Sequence, residues 1–184
     1  MRRYLLIGCL LGLLLLCGCA ENTGLGDVTI VRAIGVDRDE DGYTLTLQLY
    51  SPPDAGNEST APVVVQASGK EIAALPELCT LHHGRTLFLG KCELIAFSEA
   101  LLREGADEVL DWIYREQINV QAACTAVRGR AEDLLQADLP EVATGKNPLA
   151  AAIENAVAHG QTVFVRLIDT VVAWRRKSHT YTPA

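Results

Sequence analysis

The chain has 184 residues and a formal net charge of −7 from 16 basic and 23 acidic side chains. That length suits one domain with a real hydrophobic core, and the acidic balance argues against nucleic acid as a partner and against electrostatic docking on anionic lipid. Six cysteines form no disulfide framework, because Cys9, Cys17 and Cys19 fall in the first twenty residues and leave an odd remainder, Cys79, Cys92 and Cys124, which read as small buried hydrophobes with one pair open to oxidation.

Arg2 and Arg3 are followed by an apolar run over residues 4–16 and then by Leu16-Cys17-Gly18-Cys19. This is the pattern of an export signal; a spanning helix needs roughly 20 apolar residues, and the run breaks off at Glu21. The Leu-x-Gly-Cys ending resembles the lipobox of bacterial lipoproteins, in which the cysteine thiol receives a diacylglycerol and becomes the mature N-terminus. Cys19 is then the lipidation site, and two acyl chains give stable anchoring without crossing the bilayer. Removing residues 1–18 takes away two arginines and no acid, so the charge becomes −9. The expected organisation is a signal peptide over 1–18, a lipidated tether over 19–27 and a single domain over 28–184.

Residues 28–36 read as a strand with Val28, Ile30, Ile34 and Val36 apolar. Residues 43–50 read as a second, with Tyr43, Leu45, Leu47 and Leu49 on one face and Thr44, Thr46 and Gln48 on the other. The polar turn between them ends in Asp41-Gly42, so the two should pair as a hairpin. The same turn spells Asp37-x-Asp39-x-Asp41-Gly42, the opening of an EF-hand calcium loop. Its twelfth position, where that loop needs a bidentate Glu, is Gln48, and the flanks alternate like strands, so the tip reads as solvated and free of calcium.

Residues 51–61 read as a loop and residues 63–67 as a short strand. Ile72, Leu75, Leu78 and Cys79 then form a helical stripe that Pro76 must kink or delay. Residues 86–89 and 93–97 are short strands on either side of Gly90. Residues 99–115 give the best helix, with Leu102, Val109, Leu110, Trp112 and Ile113 at helical spacing, and residues 118–127 return to strand-like alternation. A short helix is expected over 131–136, closed off by Pro140, and another over 148–159 with Asn147 as cap and Gly160 past its end. Residues 162–175 place Val163, Leu167, Val171 and Trp174 on one stripe, with Arg175, Arg176 and Lys177 where cations meet the helix dipole. The fold class is α+β: a mixed or antiparallel sheet of short strands with several packed helices.

His82 and His83, near Cys79 and Cys92, are the one cluster that invites a metal, but adjacent histidines point apart and the spacing matches no zinc pattern, so a polar turn is expected. Neither Ser68 nor Ser98 sits in a Gly-x-Ser-x-Gly elbow. Gly24-x-Gly26 precedes the first strand instead of following it, which excludes a phosphate-cradling loop. Asp107, Glu108 and Asp111 read as the solvated face of the long helix. The residues therefore point to no catalytic group, no metal and no cofactor, and leave ligand-binding residues unassigned. They describe an exported, tethered, acidic α+β domain.

Several stretches in order resemble the N-terminal region of the Ger(x)C family, the lipoprotein C subunits of bacterial spore germinant receptors. Ile34-Gly35-Val36-Asp37, an acidic turn and residues 42–48 look like its first hairpin. Ser68-Gly69 before a helix and Gly84-Arg85-Thr86-Leu87-Phe88-Leu89-Gly90 are similar to its next block, and Leu94-Ile95-Ala96-Phe97-Ser98-Glu99, Glu104-Gly105, Val109-Leu110-Asp111 and Arg115 continue the pattern. The chain departs from it at Ala20-Glu21, where the family often has Trp-Asp, at Lys91, where a histidine is common, and in stopping at Ala184, where family members continue into further C-terminal domains. The resemblance implies a non-enzymatic subunit, lipid-anchored on the outer face of the spore's inner membrane, that acts in germination by assembling with the polytopic A- and B-type receptor subunits. The alternatives from the residues alone are a freestanding ligand-binding envelope lipoprotein and an envelope enzyme with an unrecognised site.

Overall fold

β1 (Val28–Asp39) is the strand on which the sheet is built, and it pairs antiparallel with β2 (Gly42–Leu49) from Asp39 opposite Gly42 to Val31 opposite Leu49. The expected hairpin forms, with β1 running on past residue 36. The computed structural model describes residues 28–50, 62–137, 139, 147–160 and 165–176. The expected signal peptide, the tether with Cys19, the loop over 51–61 and Pro140 lie outside these residues.

β3 (Val63–Gly69) continues the sheet antiparallel to β2. On its other side β1 takes two strands in succession: β4 (Thr86–Phe88) runs parallel to Val28–Ile30, and β5 (Leu94–Ser98) parallel to the stretch from Ala33 to Val36. A 3₁₀ turn, Leu89–Lys91, steps the chain from one to the other. Gly90 fits there because the Phe88 ring lies against it, and a Cβ would stand 2.7 Å from the ring's Cζ. β6 (Ala123–Val127) is parallel to β5, and β7 (Val165–Arg166) is antiparallel to β6. The sheet is mixed, in the order β3-β2-β1-β5-β6-β7 with β4 also beside β1.

Among the described residues six helices cover it: α1 (Leu75–His83), α2 (Glu99–Glu104), α3 (Asp107–Arg115), α4 (Ala131–Leu135), α5 (Pro148–Ala158) and α6 (Leu167–Arg175). Strand alternation sends Ile34, Val36, Leu45, Leu47, Ile95 and Phe97 to one face, where they pack with Leu75 of α1, Leu101 of α2, Trp112 of α3 and Leu167 of α6. Ala33, Leu94, Ala96 and Ala123 face the other way, against Ala131 and Leu135 of α4 and Leu149 of α5. The first layer holds the large side chains, each stabilising by about 1.5–3 kcal/mol when fully buried. In the second, three of the four sheet residues named are alanines, which lets the leucines of α4 and α5 lie close on the sheet.

Two expected elements are corrected. The helix foreseen over 99–115 is two, because Gly105 adopts φ 112°, a conformation disfavoured for any residue with a Cβ, and its amide closes α2 on the Leu101 carbonyl at 3.0 Å. The strand foreseen over 118–127 begins only at Ala123: Ala122 N–H bonds the Asn119 carbonyl at 2.9 Å in a turn, and the Asn119 amide donates to the Cys92 carbonyl at 3.0 Å. Elsewhere the local signals hold. Pro76 delays α1 behind a 3₁₀ turn, Ile72–Ala74, and sits in its first turn, where a missing N–H costs nothing. Asn147 caps α5 through Leu149 N–H at 2.9 Å. The last helix starts at Leu167, with β7 taking the residues just before it.

Candidate interaction surface

The polar residues foreseen as possible chemistry are mostly structural. Asp37 is buried, 3% exposed, and turns away from the hairpin tip to accept the amides of Ala131 at 2.7 Å and Glu132 at 3.0 Å. Asp39 accepts the Asp41 amide at 3.0 Å, an Asx turn that shapes the tip. The two adjacent histidines diverge as expected: His82 Nδ1 lies 3.0 Å from the Gln66 carbonyl and His83 Nε2 3.0 Å from Thr29 Oγ1. Among the described residues, no group of three or more His, Cys, Asp or Glu side chains is placed to hold a metal ion.

Cys79, Cys92 and Cys124 are free and buried. Burial pushes the Cys79 thiol up to about 11 and the Cys124 thiol to about 12, and raises Cys92 further still. Such thiols stay protonated, and a protonated thiol is neither a nucleophile nor a metal ligand.

The acidic face foreseen on the long helix is exposed but engaged. Tyr43 Oη donates to Glu108 at 2.7 Å, Trp174 Nε1 donates to Asp107 at 2.7 Å, and Arg115 pairs with Asp111 one turn away. Arg38 bonds Tyr43 Oη, pairs with Glu104 at 2.6 Å and lies 4.5 Å from the centroid of the Tyr43 ring. These contacts lock the hairpin to α2 and α3.

Recesses open at the other end of the sheet, where the parallel strands begin. One, of about 740 Å³, lies between α1, β4 and the end of α3 and is lined by Pro76, Thr80, Phe88, Gly90, Arg115 and Gln117. The second, of about 480 Å³, runs between α3 and α6 over Ile113, Tyr114, Ile118, Val120, Ile168 and Val171. Arg115 and Gln117 border both. Gln117 has φ 51°, the left-handed region that a side chain with a Cβ rarely adopts, and strain of this kind concentrates at functional surfaces. Tyr114 is 54% exposed, with the Arg175 guanidinium 5.4 Å from its ring centroid. This arrangement suits contact with an apolar or aromatic partner group. Nothing in the sequence singled it out, because Tyr114 and Val120 become neighbours of Ile168 only through the pairing of β6 with β7.

Residues 23–184 match the family model described as the spore germination protein N-terminal domain. The chain belongs to this family. It is 32% identical over 117 residues to spore germination protein KC of Bacillus subtilis (strain 168), covering 58% of this chain and 29% of that protein. It is 27% identical over 144 residues to the putative spore germination protein YfkR of the same organism, covering 71% of this chain and 38% of that one. The match therefore spans only about a third of each curated relative's length. No solved structure matches the chain. Membership of the spore germination family agrees with the order of motifs in the sequence, and two of those motifs now have a physical meaning. In Ile34-Gly35-Val36-Asp37, a Cβ on Gly35 would come within 3.3 Å of both Ala131 Cβ and Leu135 Cδ2, so the glycine lets α4 lie on β1 while Asp37 holds its first amides. In the later block, Phe88 needs the bare surface of Gly90. Among the described residues no helix is long and apolar enough to cross a membrane.

Proposed function

We propose that this protein is a non-enzymatic, lipid-anchored subunit of a spore nutrient germinant receptor, acting in germination by assembling with polytopic membrane subunits. The observation that carries the reading is the family match over residues 23–184. The Leu-x-Gly-Cys19 sequence supports the anchor: with two acyl chains on Cys19, a domain with no spanning helix among its described residues stays at the outer face of the membrane. Tethering confines it to the plane where its partners sit and raises its effective concentration there, so modest contact surfaces suffice. The recesses that meet at Arg115 and Gln117 offer such a surface.

Deletion of the gene, with complementation, tests the proposal. The expected outcome is loss of germination in response to at least one class of nutrient, restored by the wild-type gene. Unchanged germination with every nutrient, together with turnover of a substrate by the purified protein, would replace the receptor subunit with an envelope enzyme.

A further inference from the structure

Ile30 of β1, Phe88 of β4 and Tyr50, the first residue past β2, stand in one row. Ile30 is the register partner of Phe88 in the parallel β1–β4 pair, and Tyr50 follows the Val31–Leu49 pair on β2, its amide bonding the Ile30 carbonyl at 2.8 Å. Register partners share a sheet face. All three are open to solvent, at 39%, 42% and 46%. The Arg32 guanidinium lies 5.5 Å from the Tyr50 ring centroid, and exposed Arg85 and Lys91 flank β4. Val63 and Val120, exposed at 46% and 50%, lie toward the same end. The opposite end of β1 carries the charged tip Asp39-Glu40-Asp41, with Arg38, Arg103 and Arg130 around a smaller recess beside it.

The row sits where the tether arrives. Nine residue steps separate Cys19 from Val28, at most about 30 Å of extended chain. The 12 residues of β1 then carry the hairpin tip roughly 36 Å further away. Aromatic side chains with a cationic fringe settle at the headgroup level of a bilayer. We infer that the Tyr50–Ile30–Phe88 row is a second, non-covalent contact with the lipid surface, which stands the domain with the start of β1 on the membrane and the hairpin tip outward. The inference rests on the lipid anchor at Cys19 proposed above and adds an orientation to it. The contact is an interfacial one made by apolar and aromatic side chains, which does not require an anionic lipid, so the net negative charge of the domain does not oppose it.

The test uses the full-length processed lipoprotein in phosphatidylcholine vesicles doped with nitroxide-labelled lipid. An environment-sensitive fluorophore is placed beside the row at Val63→Cys, at Val120→Cys as a second reporter, and at Glu40→Cys on the tip; the buried native thiols do not compete. Flotation with the vesicles reports the anchor. The expected result is flotation, with several-fold stronger quenching at 63 and 120 than at 40, and loss of most of that difference when Tyr50→Glu is added. Flotation with equal quenching at both ends, or with none at 63 and 120, would overturn the orientation while leaving the anchor intact. Absence of flotation from the wild-type chain would overturn the anchor and the inference together.

Discussion

The Asp37 carboxylate and the Ala131 amide meet at 2.7 Å across a separation of 94 residues. With Glu132 N–H on the second oxygen at 3.0 Å, Asp37 supplies from β1 the cap that α4 lacks, since the Arg130 side chain at its N-cap position pairs with the Glu132 carboxylate and caps no helix amide. Five residues are too few to form a helix unaided. The helix therefore exists because the strand offers it a carboxylate and, at Gly35, a surface without a Cβ.

Asp37→Asn is expected to destabilise the domain by about 1–3 kcal/mol, because one oxygen becomes an N–H₂ group facing a backbone donor. The pH dependence has a definite sign. Burial raises the Asp37 carboxyl above its ordinary value of 3.8, against the lowering by the two amides. A folded-state value above the unfolded one means that the folded protein binds this proton more tightly, so the residue's contribution improves as pH falls through that window. The deficit of the Asn variant, measured by urea unfolding, should therefore differ between neutral pH and about pH 4.5, the wild type gaining relative to the variant at the lower pH. A deficit independent of pH would show that the carboxyl titrates as it does in the unfolded chain.

Trp112 is 2% exposed in the larger core layer, and its indole Nε1 has no hydrogen-bond partner among the described residues. Trp112→Ala should cost about 3–5 kcal/mol through the cavity it leaves. Trp112→Phe should cost markedly less, since the group it deletes makes no bond. Thermal and urea melts of the two variants check this; near-equal losses would mean that the indole N–H is satisfied in solution.

The local periodicities were enough to find the hairpin, α1, α4 and α5 within a few residues, because turn and cap signals such as Asp41-Gly42, Pro76, Asn147 and Gly160 act over short range. What stayed hidden depends on pairing. The apolar spacing over 99–115 continues across Gly105, yet the backbone angle of that glycine ends a helix. Residues 118–122 alternate like a strand but are held in turns by Asn119 reaching back to Cys92. Alternation set Gln48 with Thr44 and Thr46 on the polar face of its strand, but not that this face is covered too: Gln48 is buried beneath α4 and α5. The recess between α3 and α6 depends on β6 and β7 coming together from distant parts of the chain, and no local pattern encodes that.

Millimolar calcium should leave the melting temperature unchanged. The Asp-x-Asp-x-Asp-Gly run cannot close around an ion: Asp37 is committed to α4, Asp39 is committed to the Asp41 amide, and Gln48 lies buried at the far end of β2. A ligand stabilises only through its preference for the folded state. A calcium-dependent shift abolished by Asp39→Ala would mean that the tip rearranges to bind.

Asn147 is the residue on which the smaller layer turns. It is fully buried; its Oδ1 accepts Leu149 N–H at 2.9 Å, its Nδ2 donates to Gln48 Oε1 at 2.6 Å, and its own amide donates to Glu93 Oε2 at 2.9 Å. Gln48 in turn donates to the Leu135 carbonyl at 3.0 Å, and Glu93 pairs with Arg32 at 3.4 Å. One side chain thus caps α5 and joins it to a glutamine that also holds the end of α4. Asn147→Ala removes the cap, worth about 0.5–2 kcal/mol, and strands the Gln48 oxygen in the interior, worth about 1–3 kcal/mol. Because the second cost disappears if the glutamine is also replaced by an apolar residue of similar shape, Asn147→Ala and Gln48→Leu should not add. The double variant is expected to be more stable than the sum of the single losses predicts, by a coupling of about 0.5–3 kcal/mol in urea melts. Additivity within about 0.3 kcal/mol would mean that the two helices are held to the sheet independently and that apolar packing of Ala33, Leu94 and Ala96 alone sets their position.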